Sequence, residues 1–243
     1  MLVNVDAKAL EVLCAAYLSS DKILCQEIID GVDIHSVNQE AFNLPDRLIA
    51  KKLQFRILYG GTEYSFAQDP EFTCVSSSQV YWKKAIDKFY EKYSGLAKWH
   101  TNLIATASST GKIVMPTGRF YKFTGERRNG DIVWPRTQIL NYPVQGFGAD
   151  LMTLARVSFF RRFKEAKIKG ELISTIHDSI VVDVPNEEVE KVCIMFEDVF
   201  ADIPKNFERI FGIPFHLPTK CEVEYGHDKF NLTKYTRDGT IVY

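Results

Sequence analysis

The sequence predicts an α+β fold, on three observations. β-Branched runs lie toward the two ends of the chain: LVNVD at residues 2–6, ELISTIHDSIVVDV at 171–184 and CEVEYG at 221–226. The stretch between them, from about residue 31 to 135, is mostly helical in pattern. The 171–184 run also holds His177, Asp178 and Ser179 between two apolar segments, which reads as a hairpin.

The first thirty residues read as a strand ending at Asp6, then a helical pattern closed by Asp30-Gly31. The middle part contains RLIAKKLQFRILYGG, a helix over about 46–60 stopped by Gly60 and Gly61. FYEKYSGLAKWHTNLIATASSTG follows as a helix, a break at Ser94-Gly95 and a second helix ending at Gly111. KIVMPTGRFYKF and DIVWP are short strands around turns at Thr117-Gly118 and Asn129-Gly130. The last part opens with a helix from Gln145 to about Lys167 and continues with the hairpin. A further helix follows Pro185, with Asn186 or Glu187 near its start, and CEVEYG alternates as a strand. No internal repeat or low-complexity linker interrupts the chain.

Composition bounds the chemistry. With 243 residues and 46% apolar content, the chain can build a real core in one large or two modest domains. A net charge of -1 gives no global basic field of the kind many nucleic-acid binders carry. The five cysteines form no CxxC pair, so they read as free thiols in a reducing compartment. No apolar run spans a membrane and no signal peptide is visible, which points to a cytoplasmic protein with no membrane partner.

One row of side chains is more specific. Arg47, Lys51, Phe55 and Tyr59 recur every fourth residue. Each such step drifts only about 40° around a helix, so all four share a broad face roughly 18 Å long. Two cations suit phosphates, and two aromatics suit a base and sugar. Taken alone, the segment is an ordinary amphipathic helix with a basic end. Beside it stand two carboxylates at strand ends, Asp6 and Asp178, and Mg²⁺ is held by one or two carboxylates plus substrate phosphates. A cationic helix for a triphosphate and acidic strand ends for metals outline a nucleotidyltransferase.

The same residues resemble the fingers and palm of family A, polymerase I-like DNA polymerases, and most of all their phage-like branch. DAKALE resembles motif A, RLIAKKLQFRILYG motif B and IHDS motif C. DIH at 33–35, TGR at 117–119 and NYPVQGFGAD at 141–150 follow the family's order. The resemblance implies a palm, an antiparallel sheet with helices, into which a mostly helical fingers subdomain is inserted. Residues 1–30 would be the first part of the palm, about 31–135 the fingers and 136–243 the second part of the palm.

The implied activity is template-directed DNA synthesis from dNTPs on a primer-template, by a two-metal mechanism with two Mg²⁺ ions that Mn²⁺ can replace. Asp6 and Asp178 would be the metal ligands, with a backbone carbonyl from Val5. Without the resemblance, Asp6 is a helix cap and Asp178 a turn residue. Lys51 and Arg47 would hold the α- and γ-phosphates, with Lys51 also catalytic, and His35 would touch the β-phosphate. Glu11 would be the steric gate against a ribose 2′-hydroxyl, completed by Phe55. Tyr59 would lie against the template base. Asn141, Gln145 and His177 resemble contacts to the primer end and the minor groove, where acceptors are alike for all base pairs.

Two departures qualify the match. An arginine expected four residues before Asn141 is replaced by Thr137, leaving Arg136, one place earlier, as the candidate DNA contact. Ser179 stands where an auxiliary carboxylate usually follows His-Asp. The family's thumb and 3′–5′ exonuclease have no counterpart in these residues. The expectation is therefore a split enzyme whose second chain supplies both and covers an open sheet edge at Leu2 to Val5. The alternatives are a single-subunit RNA polymerase, against which Glu11 and Phe55 argue, and a catalytically idle palm serving as a binding subunit.

Overall fold

A computed structural model describes residues 1–237 and Gly239. In chain order the elements are β1 (Leu2–Ala7), α1 (Leu10–Ser19), α2 (Lys22–Asp30), α3 (Ile34–Ala41), α4 (Arg47–Leu58), α5 (Glu63–Gln68), α6 (Pro70–Thr73), α7 (Gln79–Lys92), α8 (Ser94–Thr110), β2 (Lys112–Val114), β3 (Phe120–Lys122), β4 (Glu126–Arg128), β5 (Asp131–Val133), α9 (Arg136–Glu165), β6 (Glu171–Ile176), β7 (Ser179–Asp183), α10 (Val189–Ala201), α11 (Ile203–Phe211), β8 (Cys221–Gly226) and β9 (Thr233–Lys234). The fold is α+β with antiparallel sheets. It divides into two compact units, one made of residues 1–12 and 147–243 and the other of residues 13–146.

The first unit is built on a five-stranded antiparallel sheet in the order β6-β7-β1-β8-β9. β1 is therefore central, in register with β7 (Val5 opposite Ile180) and β8 (Val5 opposite Val223). The expected open edge at Leu2 to Val5 is overturned. Strands from far downstream flank β1 on both sides, and Val3 and Val5 are fully buried. Alternation sorts the faces: Val3, Val5 and Ala7 point to the core, while Asn4 and Asp6 point away. The core face is covered by aromatics from helices, with Phe159 of α9 stacked on Phe196 of α10 at 3.9 Å between ring centroids.

The second unit is mainly helical and packs around Trp82. Phe66 stacks on Trp82 at 5.1 Å and Phe72 meets it edge-on at 5.4 Å. A single buried carboxylate organises the loop ends. Asp21 caps α2 through the Leu24 N–H at 2.9 Å and also accepts the Gly95 and Leu96 N–H groups at 2.7 and 3.1 Å. These two donors open α8, which has no side-chain cap of its own. A side chain at Gly95 would collide with Asp21, which explains the glycine at that helix start.

The small strands follow the turn chemistry. β4 and β5 pair through a two-residue loop, with Asn129 at φ 52° and Gly130 at φ 93°, as a primed hairpin turn requires. Helix α9 departs from expectation. It begins at Arg136, nine residues before Gln145, and runs through Pro143. Proline costs a helix one hydrogen bond and a local bend, and the packing of Ile139, Leu140, Val144 and Phe147, all fully buried, outweighs that penalty.

Candidate active site

Each unit carries one set of the predicted residues. In the first, Asp6 lies opposite Ser179 on β7 and Glu222 on β8. Its outward face thus collects carboxylates, because residues in register share a side of the sheet. The β6–β7 connection is a two-residue hairpin of His177 and Asp178. His177 adopts φ 53° there, the left-handed value that tight hairpins need at their first loop position. The Asp178 carbonyl accepts the Ala7 N–H at 3.0 Å, which fixes the loop against the end of β1.

This crowding alters Asp6. Partial burial, then the charges of Asp178, Glu222, Glu224 and Glu11, push its carboxyl up to about 6. Such a group prefers a cation nearby or a proton of its own. Carboxylate oxygens are the donors that Mg²⁺ selects, so the residues present fit a divalent ion. Among the described residues no three His, Cys, Asp or Glu side chains form a metal-holding group by themselves. A two-carboxylate site that relies on substrate oxygens has this composition. Val5 is buried and paired on both sides, so its carbonyl would reach a metal only through the lone pair the ladder leaves over. Glu222 is also tied to Lys234 at 3.0 Å and Lys8 at 3.8 Å. Glu11 sits in the first turn of α1, a favourable place for a negative charge.

In the second unit, α4 displays the predicted row. Asp46 caps it through the Ile49 N–H at 2.8 Å. Lys51 Nζ lies 5.8 Å from the Phe55 ring centroid, and Phe55 is 6.5 Å from Tyr59. Lys51, Phe55 and Tyr59 line a cavity of about 640 Å³ together with Gly60, Gly61 and Thr137. Gln145 donates to the Tyr59 hydroxyl at 2.6 Å, joining two residues 86 positions apart. Asn141 is one turn earlier on α9 and half-buried, and Arg136 begins that helix, exposed.

The cations of the row are not all free. Arg47 donates its Nε and Nη2 to Asp33 at 2.6 and 3.1 Å. This pairing holds the Asp33 carboxyl well below the usual carboxylate range. Asp33 is at once the N-cap of α3, accepting the His35 N–H at 3.2 Å. Lys52, the next residue after Lys51, pairs with Glu71 at 2.7 Å.

His35 is buried, and its Nδ1 meets the Gln54 side-chain oxygen at 2.9 Å. An amide oxygen accepts only, so Nδ1 carries the proton and Nε2 of the neutral ring is the lone-pair nitrogen. Burial lowers the His35 pKa, which keeps the ring neutral. Gln54 is the participant that sequence reasoning missed. It lies one residue before Phe55, off the four-residue spacing, so periodicity gave it no weight.

Known proteins place these observations. The description "DNA polymerase family A" matches residues 1–230. The chain is 22% identical to DNA polymerase I of Geobacillus stearothermophilus over 231 residues, covering 91% of this chain and 25% of that protein. It is 26% identical to the thermostable DNA polymerase I of Thermus aquaticus over 238 residues, covering 94% and 27%. Among solved structures, the POL domain of Pol1 from M. smegmatis in complex with DNA primer-template and dNTP superimposes with a TM-score of 0.76 at 21% identity, over 93% of this chain and 39% of that one. The chain thus spans about a quarter of the length of these curated relatives. With the motifs in order, the antiparallel palm-type sheet and a match along nearly the whole chain, the protein belongs to DNA polymerase family A.

Proposed function

We propose that this chain is the fingers and palm part of a DNA-directed DNA polymerase, adding dNTPs to a primer as the template directs. The observation that carries the reading is the α4 row, in which a lysine, a phenylalanine and a tyrosine line one cavity in the order that phosphates, sugar and base require. The reading assigns metal binding to Asp6 and Asp178, with Val5 as a lesser carbonyl donor. When bound, two Mg²⁺ ions lower the pKa of the primer hydroxyl and neutralise charge on the phosphate under attack. Lys51 and Arg47 bind phosphate oxygens through charge-assisted hydrogen bonds, and Arg47 must trade Asp33 for the substrate to do so. His35 gives the β-phosphate a hydrogen bond only when its Nε2 is protonated.

The reading assigns sugar selection to Glu11 and to Phe55. Tyr59, steadied by Gln145, faces the template base. Asn141, Gln145, His177 and Arg136 serve the DNA. A further proposal is that thumb and 3′–5′ exonuclease functions are supplied by a second chain. Co-purification from the native source tests it, with a partner carrying those functions as the expected result. Single-nucleotide primer extension with four dNTPs and four rNTPs tests the main reading. Incorporation of only the templated dNTP is expected, and preference for rNTPs would favour an RNA polymerase instead.

A further inference from the structure

A second cavity of the helical unit, about 320 Å³, is lined by Tyr90, Ala97, His100, Thr101, Ile104 and Arg136. His100 is almost fully buried, with only 2% of its surface exposed. Its Nδ1 lies 3.0 Å from the Tyr90 hydroxyl, and its Nε2 is buried with no hydrogen-bond partner. Phenol is the stronger donor of the two and imidazole nitrogen the stronger acceptor, so Tyr90 donates to Nδ1. The proton of the neutral ring is then on Nε2, a buried donor with no acceptor. Orphan donors of this kind carry an uncompensated desolvation penalty and call for an explanation.

Arg136 adds the second half. Its guanidinium has no ion-pair partner among the described residues, and it stands at the first turn of the 30-residue helix α9. The helix dipole adds positive potential at that point. Burial first, and the Arg136 charge second, depress the His100 pKa to about 3, so the ring stays a neutral donor. Arg136 also runs beside Gly60, 3.7 Å from where a Cβ would stand, and its neighbour Thr137 lines the α4 cavity.

We propose that Tyr90, His100 and Arg136 form an oxyanion site that takes one phosphate group. Arg136 supplies the charge, His100 Nε2–H a directed hydrogen bond, and Tyr90 the tautomer that puts the proton there. Nε2 is covered, so its engagement needs a wall of the cavity to shift, and the exposed, unbranched Arg136 side chain is the element most able to do so. The phosphate comes either from the backbone of a bound template strand, which rests on the polymerase reading, or from free phosphate in solution.

The test is long-range ¹H–¹⁵N NMR of the His100 ring in the full chain, titrated with inorganic phosphate. A saturable shift of Nε2 is expected, with affinity about tenfold weaker in R136Q, the loss of one charged contact. No shift at millimolar phosphate, or an unchanged titration in R136Q, would overturn the site. Binding of primer-templates with and without a 5′ template overhang then identifies the source. An R136Q defect confined to overhang substrates assigns the site to the template strand, and R136Q binding both substrates like the wild type, while its phosphate titration is weakened, assigns the site to the free anion. Extension activity is scored separately, so a failure of the polymerase reading leaves the phosphate titration interpretable.

Discussion

Arg47 and Asp33 form a two-point contact in which one guanidinium meets both oxygens of one carboxylate, at 2.6 and 3.1 Å. The residue assigned to the γ-phosphate is thereby held by an acid that also caps helix α3. Both side chains are about half exposed, so the pair itself stabilises little. The cap contributes more. D33A is expected to destabilise the fold by about 1 kcal/mol and D33N by clearly less, because Asn caps as well as Asp. Urea denaturation of the two variants measures this, and equal losses would contradict it. The Arg47 contact lowers the folded-state pKa of Asp33. Its contribution is therefore present above the unfolded value and is lost only as pH falls through the lower folded one.

Asp6 behaves in the opposite sense. Its folded pKa is raised to about 6 from an ordinary 3.8. The associated stability is present below the unfolded value and is lost as pH rises through the folded one. In metal-free buffer D6N is expected to match or exceed the wild-type Tm above pH of about 6, with the difference closing toward pH of about 4. Solvent screening keeps the effect near or below about 1 kcal/mol. Added Mg²⁺ should raise the wild-type Tm and leave D6N unmoved. A D6N protein that loses stability at neutral pH without metal would contradict this electrostatic account.

Gln54 tests the phosphate end. Q54A leaves the buried His35 Nδ1–H unpaired, and the Asn38 side-chain amide, 3.5 Å from the same oxygen, loses that neighbour. A loss of roughly 1–3 kcal/mol is expected. Because Gln54 holds the ring proton on Nδ1 and away from Nε2, KM for dNTP should change more than kcat, and steady-state kinetics report the split. An unchanged KM would leave Gln54 a core residue only.

Sugar selection is a separate matter. E11A is expected to raise ribonucleotide use relative to deoxyribonucleotide use. F55Y is expected to raise dideoxynucleotide use by supplying a hydroxyl. Ratios of kcat/KM for competing nucleotides measure both. Unchanged ratios in both variants would remove these side chains from the sugar pocket.

Local chemistry made much of this legible in the sequence. Helix α4 announces itself by four-residue spacing and a terminal glycine pair, and the β4–β5 hairpin by Asn129-Gly130. The two carboxylates were legible because each stands at the end of an apolar strand. Long-range pairing was not. Nothing local to LVNVD tells that β7 and β8 will flank it, so a central strand was read as an edge. Pro143 hid the first turns of α9, where tertiary packing overrides a local penalty. The role of Asp21 lies beyond local pattern, because its contacts to Gly95 and Leu96 cross 74 residues or more.

The central claim is carboxylate-dependent, templated nucleotide addition. Its most direct test is single-turnover extension of a labelled primer-template, with this chain in excess at low salt, where weak phosphate contacts still hold DNA. Addition of the templated dNTP is predicted to require Mg²⁺ and to fall by orders of magnitude in D6N and D178N, while both variants keep the wild-type fold by circular dichroism. Addition by D6N and D178N at the wild-type rate, or none by a folded wild-type chain shown to bind the primer-template, would contradict it.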